Sequence, residues 1–168
     1  MIEPGHDPTS PEAAANAAVA LQAALALCRE RGTQMTVLRR AMLETLWQAR
    51  RPLGAYDLLA RLEGVLGRKL TPASIYRVLE FLVGEGLVAR IESRNGYVPC
   101  AHPERVHGCV FFVCERCTNS VEIEDRALEA LIERDARGLG FQISRRVIEL
   151  QGTCARCRQG PADAPADD

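Results

Sequence analysis

The sequence predicts an α+β protein in two parts, a winged helix-turn-helix followed by a small α/β domain. Three observations predict it. Successive segments with helical spacing of apolar residues lead into an alternating stretch that carries Asn95-Gly96. Past residue 100 the pattern changes to short strands around one helix. Two Cys-x-x-Cys pairs bracket that second region, at Cys114/Cys117 and Cys154/Cys157.

Taken in order, residues 1–11 are rich in proline and polar residues and are expected to be a disordered tail. "PEAAANAAVALQAALALCRERG" is dense in helix formers and ends on Gly32, a natural helix stop. "TVLRRAMLETLWQAR" repeats Leu38, Met42 (or Leu43), Leu46 and Trp47 at helical spacing. "AYDLLARLEGVLG" turns Leu58, Leu59 and Leu62 inward and ends on glycine. In "TPASIYRVLEFLVGEG", Thr71 is suited to the N-cap and Pro72 to the first helical position, where its missing N–H costs nothing. Ile75, Leu79 and Leu82 form its apolar stripe. Strands are then expected at Leu87–Glu92 and Tyr97–Cys100, joined by a two-residue Asn95-Gly96 turn. Helices followed by a hairpin is the order of a winged helix, here 12–99, with a hinge at 100–103.

In the second domain, 104–158, "GCVFFVC", "NSVEIE" and "FQISRRVIELQG" read as strands. "DRALEALIERDARGLG" reads as a helix capped by Asp125. Cys109 shares a strand face with Phe111 and Val113, which favours core packing. Cys28 falls on the apolar face of its helix and is expected to be buried and inert. Residues 159–168 repeat the composition of the first tail.

No apolar run reaches about 18 residues, so no membrane-spanning helix is expected. The start lacks a signal-peptide pattern, which points to the cytoplasm. In that compartment clustered cysteines favour metal ligation or thiol chemistry over structural disulfides. The formal net charge of −1 conceals an asymmetry. From Cys28 to Arg77 there are ten Lys/Arg against four Asp/Glu, and from Val78 onward eleven against fifteen. A basic first half suits nucleic acid on one side of the chain; ordinary scatter of surface charge is the competing reading.

The stretch from Tyr97 to Cys117 holds four of seven cysteines and two of three histidines. Each Cys-x-x-Cys pair presents two sulfurs on a tight turn, and two pairs can close a tetrahedral zinc shell. The 36 residues between the pairs form strand, helix and strand, which can return the chain to its starting point. A pair of redox dithiols is the rival. Cys100, His102, His107 and Glu122 form a second set, in which sulfur, imidazole and carboxylate suit a looser zinc site. Exposed histidines and a solvated Glu122 are its competing reading. For DNA, helix 72–83 offers Ser74, Tyr76, Arg77 and Glu80 off its core stripe. Thr36, Arg39 and Arg40 could grip the phosphate backbone, as could Arg94 at the hairpin tip. No P-loop, dinucleotide fingerprint, HExxH or nucleophile elbow occurs, so no enzyme and no small-molecule substrate are expected.

"TVLR", "AYDLLARL", "TPASIYRVLEFLVGEGLVARIES", "YVPC", His107 seven residues before Cys114, and "GTCARC" together resemble the ferric uptake regulator family, in particular its zinc-sensing branch. The likeness spans roughly residues 20–158. It implies a homodimer, with the C-terminal α/β domain mediating dimerisation, that binds a double-stranded DNA operator. It also implies two zinc ions per subunit. One is structural, on Cys114, Cys117, Cys154 and Cys157. The other is regulatory, at the hinge, on Cys100, His107 and Glu122. Tyr76 and Arg77 match the family's DNA-contacting pair. One position departs: where relatives often carry a histidine, this chain has Ala89. His102 is the nearest substitute, with water or Cys109 as alternatives. The implied function is repression of zinc-uptake genes when zinc is plentiful. An iron- or peroxide-responsive regulator of the same fold is the alternative.

Overall fold

A computed structural model of the chain describes residues 11–49, 51–100, 103, 109–123, 125–143 and 146–160, with side chains described from residue 18 and not at Cys109. The tails expected at 1–10 and 161–168 lie outside the described residues. The described residues fall into two compact units, one up to residue 103 and the other from residue 109.

The first unit is built on four helices: α1 (Pro11–Glu30), α2 (Val37–Trp47), α3 (Ala55–Leu66) and α4 (Pro72–Gly84). Their boundaries follow local chemistry. Thr36 caps α2 by accepting from the Arg39 N–H. Gly67 ends α3 in the left-handed region, at φ 62°. Thr71 caps α4 by accepting from the Ser74 N–H, with Pro72 opening the helix. Of the expected stripe residues, Leu58, Leu62, Ile75, Leu79 and Leu82 are buried, whereas Leu59 is half-buried. They join Met42, Leu43, Leu46 and Leu53 in one core, which also takes in Cys28. Glu63 ties the turn before α4 by accepting from the Leu70 N–H at 2.9 Å and from Lys69 Nζ at 3.0 Å.

The wing is a two-stranded antiparallel sheet of β1 (Val88–Ile91) and β2 (Gly96–Pro99). Its turn differs from the expected two-residue Asn95-Gly96 connection. Ile91 pairs with Gly96, so the loop is the four residues 92–95. Glu92–Arg94 form a 3₁₀ turn and Asn95 alone takes the left-handed conformation, at φ 45°. The reason is tertiary. A bridge between Leu53 and Tyr97 draws residues 52–53 against β2. A Cβ at position 96 would lie 2.8 Å from Pro52 Cβ, so glycine is needed there for close approach rather than for turning.

The second unit contains β3 (Cys109–Cys114), β4 (Ser120–Ile123), α5 (Arg126–Gly138), β5 (Val147–Gly152) and α6 (Ala155–Gln159). The sheet order is β4-β3-β5, with β4 antiparallel and β5 parallel to β3. Asp125 caps α5 by accepting from the Ala127 and Leu128 N–H groups. Sequence patterning did not predict α6, a five-residue helix after Cys154 with little apolar periodicity of its own. Val110, Phe111 and Val113 are buried, whereas α5 has no fully buried residue. Phe112, Leu131, Leu139, Phe141, Ile143 and Leu150 are exposed. Between β3 and β4, Thr118 is held at φ 58°, an unfavourable conformation for a β-branched residue. Its hydroxyl is buried without a hydrogen-bond partner among the described residues.

Three predictions follow from these local constraints. Gly96→Ala should lower the urea unfolding midpoint by the equivalent of about 1–3 kcal/mol, because Pro52 is backbone-anchored and cannot step aside; an unchanged midpoint would refute the close-approach account. Thr118→Gly should raise stability by about 0.5–1 kcal/mol, through relief of the left-handed strain less the extra chain entropy of glycine. A lower melting temperature for that variant would show that the threonine side chain contributes more than the strain costs. The Leu70 N–H, aided by Lys69, holds the Glu63 carboxyl below the usual glutamate range. A depressed folded-state pKa means this contribution is present above the unfolded value of about 4.3 and is lost as pH falls through the folded value. Glu63→Gln should therefore flatten the acid limb of a melting-temperature profile; an identical limb in both proteins would count against the tie.

Candidate metal centre and nucleic-acid interface

The metal centre grows out of the pairing of β3 with β5. Because these strands are parallel and in register, Cys114 at the end of β3 lies beside Gly152 at the end of β5. Both Cys-x-x-Cys turns therefore start from the same end of the sheet. The Glu115 N–H donates to the Gly152 carbonyl at 2.8 Å, fastening one turn to the strand that feeds the other. The Cys154 N–H points at the Cys114 sulfur, 3.4 Å away.

The four Sγ atoms of Cys114, Cys117, Cys154 and Cys157 lie within 4.8 Å of one another. Cys117 and Cys154, one from each turn, approach to 3.8 Å. A tetrahedron with zinc–sulfur bonds of about 2.3 Å has edges of about 3.8 Å, so the sulfurs fit a closed four-thiolate zinc shell. The electrostatics are uneven. Burial pushes the Cys114 thiol up, but hydrogen bonds from the N–H groups of Cys117, Cys154 and Arg116 outweigh it and bring it down to about 6. Burial pushes Cys157 up to about 12, with hydrogen bonds to the other three cysteines adding to the rise. Crowded thiols that resist full ionisation by themselves are what a dication relieves, because each ligating sulfur must be deprotonated.

The second set is only partly described. Cys100 is buried just after β2, and its N–H donates to the Leu87 carbonyl at 3.0 Å. The hairpin register extends from Ala89 opposite Val98 to Leu87 opposite Cys100. Position 89 and Cys100 therefore share one hairpin face. A histidine at 89 would point to that face; the buried Ala89 offers no ligand. Glu122 is half-buried in β4, opposite Phe111 of β3. His102 and His107 lie outside the described residues, as does the side chain of Cys109.

On the nucleic-acid side, α4 buries Ile75, Val78, Leu79 and Leu82 and exposes Tyr76, Arg77 and Glu80. Ser74 is used in the first turn of α4, its hydroxyl donating to the Thr71 carbonyl at 2.6 Å. Arg39 is stacked on the Phe81 ring, 3.3 Å from its centroid, and also donates to the Gln34 carbonyl. It braces α2 against α4, which the sequence alone does not reveal. Arg40 pairs with Glu44. Arg94 is half-buried in the 3₁₀ turn at the wing tip. Sequence reasoning gave no role to Tyr56, which is 71% exposed at the start of α3. Tyr56 and Tyr76 line a shallow groove with Leu59, Pro72 and Ile75. Its only sequence signal is an aromatic residue off the apolar stripe in the helix before α4. Among the described residues no helix is long and apolar enough to cross a membrane.

Comparison with known proteins agrees with this geometry. The family model described as Ferric uptake regulator family matches residues 30–151. The zinc uptake regulation protein of Escherichia coli (strain K12) is 32% identical over 132 residues, covering 78% of this chain and 77% of the relative. Among solved structures, a zinc uptake regulator complexed with zinc and DNA aligns at a TM-score of 0.76 and 30% identity, over 85% of this chain and 95% of that one. Holo XcZur aligns at 0.73 and 35% identity, over 83% and 97%. The chain belongs to the ferric uptake regulator family and is a metal-responsive transcription regulator rather than an enzyme.

Proposed function

We propose that this protein is a zinc-dependent repressor of zinc-uptake genes that binds its operator as a homodimer in the cytoplasm. The observation that carries the reading is the likeness, over most of both chains, to a regulator whose structure contains zinc and DNA. Two zinc ions per subunit are proposed. Cys114, Cys117, Cys154 and Cys157 would hold the structural ion, and their converging sulfurs support it. Cys100, His102, His107 and Glu122 would hold the regulatory ion. Cys100 favours zinc there, since a thiolate is a softer donor than the carboxylates and imidazoles that suit iron. Bound zinc would supply a common point of attachment for these donors.

The protein's own residues then account for switching. Held in one shell, Cys100 and Glu122 restrict how far the two recognition helices of a dimer stray from the spacing of successive major grooves. The gain in DNA affinity equals the preference of the metal for the DNA-competent arrangement, a population shift. Tyr76 and Arg77 are presented by α4 for base edges, with Ser74 at its first turn. Thr36, Arg39 and Arg94 are assigned to the phosphate backbone, Arg39 also bracing α4 through Phe81. Exposed Phe112, Leu139, Phe141 and Leu150 on the second unit supply apolar surface for a dimer interface.

The decisive measurement is a titration of free zinc against a labelled promoter duplex at fixed salt, with iron(II) in parallel. DNA affinity should rise with free zinc. Cys100→Ser should abolish that rise and keep the wild-type circular dichroism spectrum. Cys114→Ser should instead melt at a lower temperature and lose dimer. Affinity indifferent to zinc would sink the sensor reading, and identical behaviour of the two variants would sink the division into two sites.

A further inference from the structure

Two helices of the first unit, α1 and α4, end in the same way and are bonded to each other where they end. After α1, the Gly32 N–H donates to the Arg29 carbonyl at 3.1 Å and the Thr33 N–H to the Cys28 carbonyl at 2.8 Å. After α4, the Gly86 N–H donates to the Val83 carbonyl at 3.1 Å and the Leu87 N–H to the Leu82 carbonyl at 2.9 Å. Both are Schellman stops, with the glycine at positive φ. The residue before each glycine carries a charge, Arg31 in one stop and Glu85 in the other. Arg31 Nη1 donates to the Glu85 carbonyl at 2.7 Å and to Glu85 Oε2 at 3.0 Å. A cation placed there also faces the negative ends of both helix dipoles.

The corner continues into the wing. Leu87 is held on both of its backbone sides: its N–H by Leu82 of α4, and its carbonyl by the Cys100 N–H at 3.0 Å. Leu82, Leu87 and Cys100 are all buried. Cys100 and α4 therefore meet through a single residue, two positions beyond Glu85. Arg31 fastens that junction to α1. Its side chain is 42% exposed and that of Glu85 16%, so the pair adds little to stability as an ion pair. Two bonds from one nitrogen, to the backbone and the side chain of one residue, instead fix a direction.

We propose that Arg31 is a positioning residue that clamps the corner between α4 and the wing, so that a metal holding Cys100 also orients α4. With the clamp in place, Cys100, the corner and the helix move as one body. Without it the chain flexes at Gly86, and Cys100 can be held while α4 turns. The proposal rests on the reading of Cys100 as a regulatory donor and of α4 as the DNA-reading helix. It adds a residue that touches neither metal nor base.

The test uses the full-length dimer and the labelled promoter duplex at fixed salt. DNA affinity is measured at free-zinc levels that empty and fill the regulatory site, and their ratio is the zinc-induced gain. Zinc affinity without DNA is measured by chelator competition. Arg31→Ala should lower the gain by about 2- to 30-fold and leave zinc affinity without DNA unchanged. By reciprocity, DNA should then raise the zinc affinity of this variant by correspondingly less. Glu85→Gln keeps the carbonyl bond, and Arg31→Lys keeps a shorter donor; each should lose part of the gain. Both supply the readout if the alanine variant fails to fold. Arg31→Ala combined with Glu85→Gln should do no worse than Arg31→Ala alone. A full gain in all three single variants would overturn the proposal. So would an equal loss of DNA affinity with and without zinc, the mark of a merely structural role. Additive losses in the double variant would show that the two residues do not act as one clamp. A wild-type protein indifferent to zinc would remove the sensor reading itself, whereas a wild-type gain preserved in the variants removes the clamp alone.

Discussion

The parallel pairing of β3 with β5 is the constraint on which the second unit depends. Parallel strands need a crossover, and α5 together with β4 provides the length for one. The result is that two sequence-distant turns leave the sheet from the same end, with Cys114 and Gly152 side by side. An antiparallel return would have carried the second Cys-x-x-Cys to the opposite end of β3. A shift of one residue in register would have pointed the sulfurs apart, since side chains alternate between faces. The convergence of four sulfurs is thus a consequence of strand direction and register before it is a consequence of any metal.

The first unit solves a different problem with different means. Its core is made by helices packing apolar stripes, and the wing is joined to it through Leu53 and the Leu53–Tyr97 bridge. That arrangement leaves one face of α4 without core obligations. The N-cap at Thr71, the Glu63 tie to Leu70 and the Arg39–Phe81 stack all act on α4 or the turn before it. A helix proposed to present Tyr76 and Arg77 to DNA would gain from having its start and its flank fixed independently.

Much of this was legible in the sequence because it is governed by local chemistry. Helix caps at Thr71 and Asp125, the glycine stop at Gly67 and the apolar stripes of α3 and α4 depend on residues within a few positions of one another. The four-cysteine cluster was legible because tight turns with two sulfurs admit few uses. What escaped depended on distant partners. The wing turn is set by Pro52 pressing on Gly96, 44 positions away in sequence, which local Asn-Gly chemistry cannot anticipate. Arg39 reads as an exposed cation until Phe81 is placed over it. The helix α6 is too short for periodicity to register and forms where the second cysteine turn requires it. The proposed regulatory set rests on residue types, spacing and family resemblance; register adds only that position 89 shares a face with Cys100.

The two units also differ in how much hydrophobic burial they can draw on, and this explains where the cysteines sit. Among the described residues of the second unit, only Val110, Phe111, Val113 and the cysteines Cys114 and Cys157 are buried apolar side chains. The helix α5 buries no residue fully. A core of that size gives a short chain little net stability, and small domains in this position rely on cross-links, metals or association. Two such supports are available here. Four converging thiolates can hold a metal whose binding free energy is then part of the folding free energy. A broad apolar surface, with Leu139 and Phe141 more than two-thirds exposed, gains from being covered by a second copy. With the proposed metal clamp and dimer interface in the same unit, its stability would be conditional on both. The first unit has a larger apolar core of its own. The proposed four-thiolate ion therefore suits the second unit, and the proposed reversible ion suits a separate, looser set of donors.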